Sequence, residues 1–223
     1  LILTLDPEVL QITFLSLRIS MTSVLIATVI GIPLGIFVGS KEFNGKRIFL
    51  IVINTGMAFP PVVMGLFIFV LFSRLGPFAQ LDILLTDTAM ILAQLLLALP
   101  IIIGLTSSAV ENLDTRILEA ATTLGANQWQ IIVLIFHETR LALIAAVINA
   151  FGGAISEIGA VQIVGGNIRF KTRTLTTAIG REISAGRWEF AMALGIILLV
   201  TAFAVNVILT YIQHNNRFFL RAD

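Results

Sequence analysis

The sequence lacks cysteine altogether and contains only two histidines, His137 and His214. Without cysteine the chain forms no disulfide, no thiolate metal site and no iron–sulfur cluster, and it has no cysteine nucleophile. With only two histidines available, a metal site built on imidazole ligands is not expected either. We therefore predict that the chain holds no metal ion and no cofactor of its own.

A phosphate-binding loop of the form G-x-x-x-x-G-K-[ST] is also missing. The nearest approach runs from Gly39 to Gly45-Lys46-Arg47, but five residues separate the two glycines and no hydroxyl residue follows the lysine. The backbone amides and the lysine of that loop are what cradle nucleotide phosphates. The sequence therefore predicts a chain that does not hydrolyse ATP and is not an enzyme.

Charged residues are scarce, at 12% of 223 residues against 57% hydrophobic residues and a mean hydropathy of +1.00. Soluble domains carry about 25% charged residues, so too few remain here to cover a water-facing surface. This excludes a soluble enzyme and favours a membrane protein. The net charge of +1 also lacks the strong basic excess of nucleic-acid binders, so no nucleic-acid partner is expected.

Long apolar segments take the place of the missing charges. A helix that crosses the bilayer needs about 20 such residues, and continuous runs favour helices over a barrel. We predict an all-α integral membrane protein, in contact with lipid, that forms a single domain over 1–223. The five spans are about 14–40, 48–73, 88–110, 138–166 and 189–214, and a polar segment at about 111–137 joins the third to the fourth.

Five spans place the two termini on opposite sides of the membrane. With the N-terminus outside, seven basic residues of the loops and tail fall on the cytoplasmic side and six fall outside. A cytoplasmic excess of lysine and arginine is the usual orientation signal. The difference is small, so charge alone leaves the orientation open.

Two spans contain helix-modifying residues. Gly31, Gly35 and Gly39 are four residues apart, so another helix can approach closely, and we favour a helix of this chain over a second copy. In the second span, Pro60 and Pro61 remove two backbone donors, which predicts a bend or break. Broken helices are tolerated where they are buried or line a cavity. A helix that lines a cavity and a purely structural kink therefore both stay open as interpretations.

One carboxylate, Glu157, interrupts the fourth span. A charged side chain within the membrane is costly and normally has a partner. We therefore expect a structural ion pair of Glu157 with Arg18 or Arg187.

The polar segment between the third and fourth spans predicts a helix–glycine–helix unit. Asp114 is a suitable N-cap for a helix over 115–124, Gly125 a suitable C-terminal stop, and a second helical segment follows over 127–134. Ala120 and Ala121 permit close approach of another surface. From the residues alone, a docking element for a partner protein and an amphipathic helix on the membrane surface are equally favoured.

The same segment resembles a known motif. Glu119-Ala120-Ala121, three residues, Gly125, nine residues and Ile135 match the E-A-A-x3-G-x9-I loop of the permease subunits of bacterial ATP-binding-cassette importers. In that family the loop forms a cytoplasmic coupling helix that sits in a cleft of the ATPase. The resemblance therefore implies a cytoplasmic position for this loop, with the N-terminus outside and the C-terminus inside.

The resemblance extends from about residue 16 to residue 213. Segment 60–65 resembles the second-span motif of molybdate and sulfate permeases, and segments 155–160, 163–168 and 172–179 resemble the related tungstate-type permeases. The family pattern ends in Leu-Pro, where this chain has His137-Glu138. The residues expected to couple to the ATPase are Glu119, Ala120, Ala121, Gly125 and Trp129.

This family membership implies a type I importer permease fold in the cytoplasmic (inner) membrane. Expected partners are a second copy of the chain with the pore on the twofold axis, two ATPase subunits that bind ATP and Mg²⁺, and an extracytoplasmic oxyanion-binding protein. Tungstate is the first expectation for the substrate, with molybdate, sulfate or another small solute as alternatives. An ion-coupled secondary transporter is a remoter alternative. Such proteins need no ATPase and often show inverted repeats, so an odd number of spans and the coupling loop both count against it.

Two groups of residues are expected to meet the substrate or the binding protein. Backbone-breaking and hydrogen-bonding residues of the spans are candidates for the translocation path, and basic residues of the last outer loop are candidates for docking. The path candidates are Asn54, Thr55, Pro60, Pro61, Asn149 and Ser156. The docking candidates are Arg169, Lys171 and Arg173.

Overall fold

The computed structural model describes the backbone of residues 7–218 and the side chains of residues 7–211 and 213, so both ends of the predicted 1–223 domain lie outside the described residues. The described residues form α-helices and one 3-10 turn at Ala79–Leu81, without a strand among them. The helices are α1 (Pro7–Ser40), α2 (Lys46–Met57), α3 (Pro61–Phe72), α4 (Asp87–Glu111), α5 (Thr115–Thr123), α6 (Gln128–Ser156), α7 (Gly159–Gly165), α8 (Leu175–Ser184) and α9 (Trp188–Phe218).

Four helices, α1, α4, α6 and α9, are each long and apolar enough to cross a membrane. Helices α2 and α3 together form a fifth segment of that kind, bent by 102° at the break between Met57 and Pro61. The all-α fold with five candidate spans is therefore confirmed. The break predicted from the two prolines is present as well.

Helix α4 lies at the centre of the bundle and packs against α1, α2, α3, α6 and α7. One apolar cluster joins Met90 and Ala93 of α4 to α1, α3 and α7. A second joins Ala98 and Ile102 of α4 to α1 and α6. Small side chains on α4 let several helices approach it at once, which explains how so short a chain builds a common core.

The glycines of α1 face α4 within the same chain, as predicted. A Cβ placed on Gly35 would lie 2.5 Å from the Thr106 Cβ and 2.9 Å from the Ile103 carbonyl oxygen. Gly31 and Gly39 approach α4 just as closely. The three glycines therefore serve packing between α1 and α4, and Pro33 between them leaves α1 continuous.

The helices in the region of the predicted fourth span, 138–166, have different limits from that span. Helix α6 begins at Gln128, because Asn127 and Gln130 form a capping box there. It ends at Ser156, where Glu157 is the C-cap, and the remaining predicted residues form the separate helix α7. The short helix predicted over 127–134 is thus the beginning of α6 rather than an independent element.

Contacts between distant residues define the two ends of the bundle. At one end Glu8 pairs with Arg169, and the Leu85 amide donates to the Val164 carbonyl oxygen. At the opposite end Lys46 pairs with Glu111, next to α5. Below, the first end is called the α8 end and the second the α5 end.

We expect Gly35→Ala to lower the stability of the protein by about 1–3 kcal/mol, because the added methyl group overpacks the contact with α4. The measurement is thermal unfolding of the purified protein in detergent. Gly195→Ala is the matched control, since Gly195 also lies in a helix but has no atom within 4 Å of the added Cβ. Equal melting temperatures for the two variants would contradict the close α1–α4 packing.

Candidate functional site

The break between α2 and α3 leaves few backbone donors without a partner. The Ala58 and Phe59 amides donate to the carbonyl oxygens of Thr55 and Gly56, at 3.2 and 3.3 Å. Pro60 is the N-cap of α3 and Pro61 its first residue, and neither has an N–H group. Prolines are therefore well suited to this position, because the first turn of a helix has no partner for its N–H groups in any case.

The break between α6 and α7 is held by side chains from other helices. The Gln94 side chain of α4 is buried and donates to the Ala154 carbonyl oxygen at 2.8 Å. Its own carbonyl oxygen accepts from the Ser23 hydroxyl of α1 at 3.1 Å. Gln94 thus fastens the end of α6 to both α4 and α1.

Glu157 forms the junction itself. One of its carboxylate oxygens accepts from the Ala160 amide at 2.8 Å, so it caps α7. Its backbone carbonyl oxygen accepts from the Thr176 hydroxyl of α8 at 2.8 Å. The carboxylate therefore finds its partner three residues along the chain.

The ion pair expected for Glu157 is wrong. Arg18 pairs with Asp87 at the beginning of α4. Arg187 pairs with Glu182 of α8, at distances of 2.5 and 3.0 Å. Both arginines thus have acidic partners nearer the α8 end, and a backbone amide satisfies Glu157 instead.

Helices α3 and α7 pack directly on each other beside these breaks. A Cβ on Gly65 would lie 2.7 Å from the Ala160 Cα, and one on Gly159 would lie 2.5 Å from a Val62 methyl group. Two of the segments that resemble oxyanion permeases, 60–65 and 155–160, therefore contact each other. We call the two breaks with this contact the broken-helix junction.

A cavity of about 110 Å³ lies at the broken-helix junction. Its lining includes Phe59 and Pro61 from the first break, Glu157 from the second, and Gln94. Pro61 is the path candidate that the structure places there. The other path candidates are exposed on the surface of the single chain, and these are Asn54, Thr55, Pro60, Asn149 and Ser156.

The loop between α7 and α8 is built on buried threonines. The Thr172 hydroxyl accepts from the Ile168 amide at 3.0 Å and donates to the Gly165 carbonyl oxygen at 2.5 Å. Thr174 and Thr177 form the capping box that begins α8. The threonine-rich segment 172–179, which resembles tungstate-type permeases, thus shapes the loop from within.

The three docking candidates lie in different environments. Arg173 is buried, and its guanidinium donates to Glu8 and to Asn167, both at 3.1 Å. Arg169 forms two hydrogen bonds to Glu8, at 3.0 and 2.6 Å, but 59% of its side chain is accessible. Lys171 is exposed. Arg173 therefore ties the loop to α1, while Arg169 and Lys171 remain accessible to a partner.

A basic pocket of about 520 Å³ opens at the α8 end. Its lining contains four arginines and two glutamates, namely Arg169, Arg173, Arg181, Arg187, Glu8 and Glu182. The hydrogen bonds from Arg187 lower the pKa of Glu182 below its ordinary value, although burial opposes this. Both carboxylates are engaged by arginines, so the pocket has an excess of positive charge.

Helix α5 projects from the α5 end with exposed side chains. Asp114 caps it by accepting from the Arg116 amide at 3.0 Å. At its other end Gly125 has φ +84°, and the Gly125 and Ala126 amides donate back to α5 at 3.0 Å. This is a Schellman stop, which glycine permits at no steric cost. The predicted cap and stop are thus both present.

The predicted coupling residues divide into two groups. Glu119 and Ala120 are exposed on α5, and Ala121 is half-buried. Trp129 instead lies on the first turn of α6, in an apolar groove of about 470 Å³ beside the end of α1. Ile135, the last residue of the motif, is buried with Leu118 and anchors α5 to the bundle.

Several polar residues of these sites were not predicted from the sequence. Gln94 is a neutral amide within an apolar run, and Glu8 is 161 residues from its partner Arg169. Glu182 pairs with Arg187, which lies between α8 and α9. A glutamine within a membrane span does predict such a contact, since polar side chains in spans commonly form hydrogen bonds to a neighbouring helix.

A family model described as binding-protein-dependent transport system inner membrane component matches residues 31–217. The chain belongs to this family. A tungstate uptake system permease protein, TupB, of Peptoclostridium acidaminophilum is 43% identical over 213 residues, covering 96% of this chain and 93% of its own length. A probable anion ABC transporter permease protein of Haloferax volcanii is 41% identical, covering 89% of this chain and 88% of its own length.

One solved structure shares the fold of this permease. A chain of the MetNI methionine ABC transporter, in an inward-facing conformation, matches with a TM-score of 0.71 at 17% identity. The match covers 91% of the permease and 95% of that chain. The predicted type I importer permease fold is therefore confirmed.

We expect Gln94→Met to lower the stability of the permease by about 1 kcal/mol, because it removes a buried hydrogen bond between membrane helices. Thermal unfolding in detergent measures the change. Gln80→Met is the control, since Gln80 is exposed in the 3-10 turn before α4. A melting temperature unchanged by Gln94→Met would contradict the fastening of α6 described above.

Proposed function

We propose that this chain is the membrane-spanning permease subunit of an ATP-driven importer for tungstate. The observation that supports the substrate is the 43% identity to a tungstate uptake permease over nearly the whole of both chains. The exposed α5 with its Schellman stop supports the coupling to a separate ATPase. The buried threonine loop beside the junction is the structural counterpart of the tungstate-type segment.

The energy comes from partner subunits in this proposal. The chain has no phosphate-binding loop, so ATP and Mg²⁺ bind to two cytoplasmic ATPase subunits. Glu119, Ala120 and Ala121 of α5, followed by Gly125, enter the cleft of one ATPase, and Trp129 lies at the edge of the same contact. Small exposed side chains on α5 allow the close approach that such a cleft requires.

A second copy of the chain completes the pathway. Asn149 and Ser156 are exposed seven residues apart on one face of α6, within an apolar span. Polar side chains facing lipid are unfavourable, whereas the same side chains suit a path between two copies.

The α5 end faces the cytoplasm and the α8 end faces outward, so the N-terminus is outside and the C-terminus inside. On the outer surface, Lys171 and Arg169 beside the basic pocket dock the acidic rim of an oxyanion-binding protein. Opposite charges steer such encounters and fix their orientation. Arg173 contributes by holding the loop in place.

Transport follows from rigid-body movement of the two copies. Closure of the ATPase dimer draws the two α5 helices together, and the path opens outward to receive the anion. Release of nucleotide restores the inward-facing state. Such rotations of packed units about an interface are a common form of conformational switching.

Molybdate and sulfate are alternative substrates, because permeases for both are among the relatives of this chain. A molybdenum transport system permease protein, ModB, of Azotobacter vinelandii is 28% identical over 187 residues, and sulfate transport permeases are about as similar. Molybdate and sulfate share the charge and tetrahedral shape of tungstate. An ion-coupled secondary transporter is disfavoured, since it has no use for the α5 element.

The decisive experiment is uptake of labelled tungstate into proteoliposomes that contain the permease, its ATPase and its binding protein. We expect tungstate uptake when ATP is enclosed in the lumen, on the same side as the ATPase subunits. A non-hydrolysable ATP analogue in the lumen should support no uptake. Unlabelled tungstate should compete better than molybdate or sulfate. Uptake that ignores all three anions would overturn the substrate, and ATP-independent uptake would overturn the importer.

We expect Gly125→Val to reduce uptake while ATP hydrolysis continues. The Cβ has free space, but φ +84° strains a β-branched residue by about 1–3 kcal/mol, which corresponds to roughly five- to hundredfold in a conformational equilibrium. Gly125→Asn is the control, because asparagine tolerates this backbone conformation. Equal uptake by the two variants would contradict the role of the stop after α5.

A further inference from the structure

Helix α2, which leads into the first break, is attached to α4 along its length. The Gly104 surface of α4 receives Met57 and Ile53 of α2, so closely that a Cβ on Gly104 would lie 2.7 Å from the Met57 sulfur. Gly56 of α2 approaches the Pro100 ring in the same manner. These contacts are apolar and lie towards the break.

The other end of α2 is attached by one charged side chain. The Lys46 ammonium, at the first residue of α2, lies 3.1 Å from a carboxylate oxygen of Glu111, the last residue of α4. Only 12% of the Lys46 side chain is accessible. Glu42 also accepts from Lys46, at 2.9 Å, but its side chain is 88% exposed and belongs to the adjacent loop. Glu111 is therefore the partner that joins Lys46 to another helix.

Glu111 lies just before α5, the helix proposed to contact the ATPase. Asp114, the cap of α5, follows three residues later. Helix α5 has no buried residue of its own and reaches the bundle through Leu118 against α1, α4 and α6. A displacement of α5 thus acts on the end of α4 through a very short connection.

We propose that the Lys46–Glu111 ion pair is the tie that makes α2 follow α4 when α5 moves, so that Lys46 is a positioning residue for transport. The tie joins the α5 end to the broken-helix junction through α2. The apolar contacts fasten α2 to α4 near the break, and the ion pair adds a second fixed point at the opposite end of α2. This inference rests on the proposed ATP-driven function.

The test compares uptake and ATP hydrolysis in the same proteoliposomes of the complete transporter. We expect Lys46→Met to lower the number of anions transported per ATP by about tenfold, the order expected for a lost hydrogen bond to a charged group. ATP hydrolysis itself should change less than twofold. Lys46→Arg should restore most of the ratio, and Arg47→Met, the matched control at the neighbouring exposed position, should leave it unchanged.

Further outcomes separate a tie from a merely structural role. Glu111→Gln should reproduce the effect of Lys46→Met, and the double variant should be no worse than either single variant, because both remove one interaction. An unchanged ratio in Lys46→Met, or fully additive losses in the double variant, would overturn the tie. If the unaltered transporter shows no ATP-driven uptake, the proposed function itself fails and this inference fails with it.

The absence of native cysteine allows a direct test of common movement. Lys46→Cys combined with Glu111→Cys introduces the only two thiols, which a short bis-maleimide can bridge. If α2 and α4 move as one unit, the unbridged double variant should lose uptake as Lys46→Met does, and bridging should restore at least half of the uptake of the unaltered permease. Complete loss of uptake on bridging would show that the two helix ends must separate during transport. That result would overturn the tie.

Discussion

The structure depends on satisfying the backbone of two interrupted helices inside an apolar bundle. Unpaired amides and carbonyl groups are costly there, because lipid and apolar side chains offer no partners. At the first break, prolines remove donors that would otherwise be exposed. At the second, Gln94 satisfies the end of α6 and Glu157 satisfies the beginning of α7. Irregular backbone is thus tolerated at the junction because side chains of α1, α4 and α8 form hydrogen bonds there.

Helix α4 connects the junction to the two ends of the bundle. It presents glycine and alanine to its neighbours, so α1, α2 and α6 all approach it closely. Its beginning is held by Arg18 and its end by Lys46. Charged ties at the ends and close apolar contact between them make α4 a rigid member against which the broken helices are positioned.

Much of this was predictable from local signals. The spans follow from length and hydropathy, the first break from Pro60 and Pro61, and the ends of α5 from Asp114 and Gly125, since each signal acts within a few residues. The actual partner of Glu157 was not predictable, because it is the Ala160 backbone amide, which lies within reach only once α6 has ended. The burial of Arg173 depends likewise on Glu8, which the fold brings from 165 residues away.

The position of Glu157 bears on where an anion passes. Its carboxylate lines the cavity within the single chain, and two like charges at short range in a medium of low dielectric repel each other strongly. A dianion is therefore disfavoured in that cavity, which at about 110 Å³ is also narrow. The exposed face of α6 with Asn149 and Ser156 offers neutral hydrogen-bonding groups instead. In the proposed function, electrostatics thus favours a path between two copies of the permease over a path through the cavity of the junction.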